Sequence, residues 1–63
     1  MTEIKATPNK SKRTFNLDKY YNNKLVSKYR TFPMTREEFE DAQYNTSNDW
    51  QDFIWNEDVE RIY

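Results

Sequence analysis

The sequence predicts a small α+β domain of order β-β-α-α-β, a three-stranded antiparallel sheet with two short helices on one face. Three observations predict it: apolar residues alternate with polar ones on either side of Asn22-Asn23, a helix-start signature opens at Thr35, and Trp50, Phe53 and Ile54 recur at helical spacing.

Residues 1–13 are polar and basic, with Lys5, Lys10, Lys12 and Arg13 and no sustained apolar period. They are expected to form a flexible basic tail, leaving residues 14–63 as the single domain. Thr14 to Phe32 reads as a β-hairpin turning at Asn22-Asn23. Its loop length follows from parity, because a one-residue shift exchanges the two faces of a strand. A two-residue loop pairs Phe15 with Arg30 and Leu17 with Lys28, which mixes the faces. An odd loop, Asn22-Asn23-Lys24, pairs Leu17 with Tyr29, Tyr21 with Leu25 and Asp18 with Lys28. The odd loop is therefore the expectation, with Phe15, Leu17, Tyr21, Leu25 and Tyr29 on one face. The chain has no glycine, so asparagine must supply the left-handed turn residue.

Pro33 ends the second strand. Thr35 as N-cap with Glu38 three residues later makes a capping box, and Met34 before the cap with Phe39 makes a hydrophobic staple. This helix is expected to end near Tyr44, with Asn45 as a left-handed cap. Thr46 or Ser47 caps a second helix, whose stripe is Trp50, Phe53 and Ile54 and whose stop is Asn56. Val59 to Tyr63 is rich in strand formers and reads as the third strand.

Composition narrows the function classes. A 63-residue chain makes one domain at most. Without cysteine or histidine it has no disulfide and no zinc site of the usual kind, and no cofactor is implied. Stability then rests on packing, for which four Phe, five Tyr and two Trp are available. The chain is expected to fold alone by a narrow margin.

No histidine shuttles protons, no cysteine serves as nucleophile and no glycine-rich loop cradles phosphate, so the expectation is a protein that is not an enzyme. Glu37, Glu38, Glu40 and Asp41 lack calcium-loop spacing, and no metal site is expected. Met1 to Lys12 has no apolar run of the signal-peptide kind, and no segment is long enough to span a membrane, so a cytoplasmic location is expected. An absence of glycine beside abundant Asn, Lys and Tyr matches an AT-rich genome, as in a phage or mobile element.

The net charge of −1 conceals a division along the chain. Residues 1–34 carry eight Lys/Arg against Glu3 and Asp18, whereas residues 35–63 carry nine Asp/Glu against Arg36 and Arg61. Such a dipole bears on partner choice rather than on fold.

In the acidic half, Glu37, Glu40, Asp41 and Tyr44 fall on one helical ridge, and Asp49 and Asp52 on a second beside Trp50 and Phe53. Trp55 leaves the apolar stripe, either covering Val59 and Ile62 or standing exposed as a binding anchor. Glu37, Glu40, Asp41, Tyr44, Asp49, Asp52 and Trp55 are accordingly the residues expected to meet a larger protein partner. The ordinary alternative is that acidic helices keep a small protein soluble.

The basic half raises a nucleic-acid alternative through Lys10, Lys12, Arg13, Lys19, Tyr20, Lys28 and Arg30, which mix cations with an aromatic. A structural subunit of a larger assembly is the remaining reading.

Overall fold

Four strands, rather than three, build the sheet. A computed structural model describes every residue from Met1 to Tyr63. Its order is β1 (Thr2–Asn9), β2 (Thr14–Tyr21), β3 (Lys24–Thr31), α1 (Arg36–Ala42), α2 (Ser47–Trp55) and β4 (Val59–Arg61). The strands lie in the order β1-β2-β3-β4, all neighbours antiparallel. No helix is long and apolar enough to cross a membrane.

The segment expected as a tail is β1. Its residues pair with β2 from Thr2↔Tyr21 to Asn9↔Thr14. Ile4, Ala6 and Pro8 alternate with Glu3, Lys5 and Thr7, which is strand parity, but only Ile4 is large enough to signal it. The strand exists because pairing supplies what composition does not: Ile4 is buried in the core. Pro8 is tolerated because β1 is an edge strand, where a missing N–H breaks no ladder bond.

The β2–β3 hairpin corrects the expected loop. Leu17↔Tyr29, Asp18↔Lys28 and Lys19↔Ser27 keep the register that parity demands, and then the register shifts to Tyr20↔Leu25 and Tyr21↔Lys24. Val26 is the extra residue of a β-bulge, so the loop is only Asn22-Asn23. Both asparagines have positive φ, 49° and 67°, as the type I′ turn of a two-residue hairpin requires. Parity excluded a two-residue loop only for uninterrupted strands; one bulge satisfies the turn and the core together. Beyond it, Leu25 stands opposite Tyr20 on the helix-free face, and Tyr21 and Leu25 are exposed instead of lying in the core.

The α1 start forms as the sequence implies. Thr35 Oγ1 accepts from Glu38 N at 3.2 Å, and Glu38 Oε1 accepts from Thr35 N at 3.2 Å. Phe39 is buried, with Met34 packed against the same core. The end differs. Asn45 does not take a left-handed conformation; Gln43, Tyr44 and Asn45 donate to the carbonyls three residues back, tightening the last turn.

In α2, Thr46 is the cap and Asp49 completes a second capping box. Asn56 is the C-cap, but the left-handed residue is Glu57, φ 59°. Asp58 N donates to Phe53 O at 3.0 Å and Glu57 N to Ile54 O at 3.2 Å, a Schellman motif without glycine.

Both helices cover one face of the sheet. The core is Ile4, Phe15, Leu17, Phe39, Ala42 and Trp50. Phe15 lies between Phe39 and Trp50, 4.9 Å from each ring, and Trp50 lies 4.9 Å from Phe53. These tilted aromatic pairs add to what area burial supplies.

Candidate functional site

The helices leave their acidic sides to solvent because their apolar residues are used up against the sheet. Phe39 and Ala42 bury one side of α1, and Glu37, Glu40, Asp41 and Tyr44 remain exposed, Tyr44 at 87%. On α2, Trp50 is buried while Asp49 and Asp52 stay exposed. A cleft of about 260 Å³ lies between the helices, with Met34, Ala42 and Phe53 as apolar walls and Glu38, Asp41 and Asn45 as polar ones.

These acids are not equivalent. Asp49 Oδ2 accepts from Thr46 N at 2.9 Å and Thr46 Oγ1 at 3.2 Å, so its carboxylate is engaged in the cap. Glu40 lies 3.5 Å from Arg36 Nε. Glu37, Asp41 and Asp52 make no side-chain hydrogen bond or ion pair, and they are the members of the expected set still free to meet a cation. No group of three or more Asp or Glu gathers closely enough to hold a metal ion.

The two tryptophans separate as their helical spacing implies. Trp50 is 2% exposed and Trp55, at the end of α2, is 71% exposed. Trp55 therefore does not seal Val59 and Ile62, and Ile62 is itself exposed. Asp52, one turn earlier on the same helix, sets an unpaired carboxylate near this indole in sequence and on the helix surface.

The basic residues do not form one surface. Lys10, Lys12 and Arg13 belong to the β1–β2 turn. Tyr20, Lys28 and Arg30 lie on the helix-free face of the sheet, where Lys5 Nζ sits 5.2 Å above the Tyr20 ring and Arg30 pairs with Glu60 at 3.6 Å. Asp18 stands between Lys5 and Lys28 in the register, further diluting positive charge there. Lys19 points to the opposite, helix-covered face, as the partner of Ile4 and Ser27.

Sequence reasoning missed Arg36 as a member of a basic group. It stands in an acidic stretch, and only the fold brings it to the turn cations: Arg36 lines a depression of about 410 Å³ together with Lys10 and Arg13. No protein-family model, curated protein or solved structure matches this chain.

Proposed function

We propose that this protein is a non-enzymatic binding module that docks its acidic helices and Trp55 onto a basic surface of a larger protein, inhibiting or modifying it. The observation that carries this reading is Trp55: a chain with so small a core leaves a whole indole 71% exposed. Exposed tryptophan contributes disproportionately to interfaces because it buries a large area at small entropic cost. Glu37, Asp41 and Asp52 supply unpaired carboxylates on the same helices, which favour approach to a cationic partner and disfavour an anionic one. A nucleic-acid-handling enzyme of the host, such as a defence nuclease, presents a surface of that kind, and a phage or mobile element is the source that composition favours.

The test is affinity capture from the native host followed by mass spectrometry, with wild type beside two variants. Trp55→Ala and the triple variant Glu37→Gln/Asp41→Asn/Asp52→Asn should each lose the captured protein while unfolding like wild type. Capture that survives nuclease and disappears in both variants supports docking. Capture abolished by nuclease supports the rival reading, a nucleic-acid-binding accessory protein.

A further inference from the structure

The β1–β2 turn is held by its own polar groups and by the entry to α1. Asn9 Oδ1 accepts from Ser11 Oγ at 2.9 Å and Lys12 N at 3.3 Å, closing the turn on itself. Arg13 takes a left-handed conformation, φ 54°, and its carbonyl accepts from Met34 N at 2.9 Å. That bond fixes the turn beside the start of α1. The result is a depression of about 410 Å³ lined by Lys10, Arg13, Arg36, Glu40, Gln43 and the edge of Phe39. Lys10 and Arg13 have no ion-pair partner, and neither does Lys12 in the same turn.

We infer that this depression is a phosphate-binding site that takes the phosphodiester backbone of a nucleic acid. Three cations from two parts of the chain converge there, two of them arginines, whose planar fork of donors fits a phosphate better than a point charge does. The chain has no glycine with which to build a backbone N–H cradle of the P-loop kind. The cations that line the depression reach it as side chains on an open surface, an arrangement that suits a backbone phosphate approached from outside. Glu40 is the opposing group. Its pair with Arg36, at 3.5 Å, is exposed and contributes little, so a phosphate displaces it at small cost.

This site goes beyond the docking reading and does not depend on it. With only three cations, the affinity is weak and steeply salt-dependent.

The experiment is fluorescence anisotropy of a labelled short oligothymidylate at low salt, with no protein partner present, so that it fails separately from the capture experiment. Arg13→Asn/Arg36→Gln should weaken binding about tenfold or more. The slope of log affinity against log salt should become shallower by about 0.7 for each phosphate that the variant no longer neutralises. Asparagine at position 13 retains the left-handed backbone, so the variant should keep its fold by circular dichroism. Glu40→Gln should strengthen binding, and Lys28→Gln/Arg30→Gln on the sheet face should leave it within about twofold of wild type. Amide shifts on titration with inorganic phosphate should centre on residues 10–13 and 36. No binding at low salt, or an equal loss from the sheet-face variant, overturns the site. Adenosine monophosphate binding as tightly as the oligonucleotide overturns the diester assignment.

Discussion

Single residues in this chain have separable roles, and the tryptophans show it most directly. Trp50 is part of an aromatic run with Phe15 and Phe53, so Trp50→Ala should cost about 3–5 kcal/mol. Typical stability for 63 residues is about 3–9 kcal/mol, so much of the variant population should be unfolded in thermal or urea titrations. Trp55→Ala removes an exposed side chain and should change stability by about 0.5 kcal/mol or less, while lowering partner affinity by about 2 kcal/mol. Fluorescence checks the assignment without a partner. Trp55→Phe leaves a blue-shifted indole that resists iodide, and Trp50→Phe leaves a red-shifted, quenchable one. Reversal of that pattern would move the docking anchor away from Trp55. Glu57 is a residue out of place in conformation, being left-handed with a Cβ, and in charge, being an acid at a helix C-terminus. Glu57→Gly should therefore raise stability by about 0.5–1 kcal/mol, read as a higher midpoint in urea.

At the scale of elements, β1 matters most, because it turns a hairpin into the centre of a sheet. Deleting residues 1–9 removes Ile4 from the core and leaves β2 an uncovered edge. The truncated chain should lose its near-ultraviolet circular dichroism and dispersed amide spectrum. The edge of β1 is itself guarded. Ser47 Oγ accepts from Ile4 N at 3.2 Å and donates to Ile4 O at 3.3 Å, and Pro8 offers no N–H further along. These hydrogen bonds also tie α2 to the sheet. Ser47→Ala should cost about 1–2 kcal/mol and expose the strand edge, with concentration-dependent self-association by light scattering as the added sign. A monomeric Ser47→Ala of wild-type stability would remove this function of the serine. Thr35→Ala, at the α1 capping box, should cost about 0.5–2 kcal/mol in the same assay.

Across the whole molecule, the division of charge along the chain does not become a simple two-ended dipole. β1 and the β2–β3 hairpin place Lys5, Lys28 and Arg30 on a sheet face that also holds Glu3, Asp18 and Glu60, so the charges there offset one another. The acidic helices keep their sign, apart from Arg36. Positive charge concentrates only where the β1–β2 turn meets α1. The proposed docking through the helices and the proposed phosphate site at the turn therefore lie on different surfaces, with Glu40 at the border. Raising salt should weaken oligonucleotide binding steeply. Capture anchored by a buried Trp55 should depend on salt less, and a titration of both in one buffer checks this.

Short-range patterns in the sequence were enough to determine the α1 capping box, the burial of Trp50 and the departure of Trp55 from its apolar stripe, the antiparallel hairpin and its central register at Leu17↔Tyr29. Each rests on neighbours a few residues apart or on strand parity, which the order of residues specifies directly. The exposure of the acids expected to dock was legible for the same reason. Their inequality was not, because Asp49 is engaged by a cap and Glu40 by Arg36 only once the helices exist. Tertiary structure alone decided β1, since Ile4, Ala6 and Pro8 carry too little apolar area to specify a strand until β2 and Ser47 pair with it. It alone placed the bulge at Val26, where the two-residue asparagine turn and the core demand opposite parities. It alone brought Arg36 to Lys10 and Arg13, because the hydrogen bond from Met34 to Arg13 joins segments some twenty residues apart and no local pattern encodes that meeting.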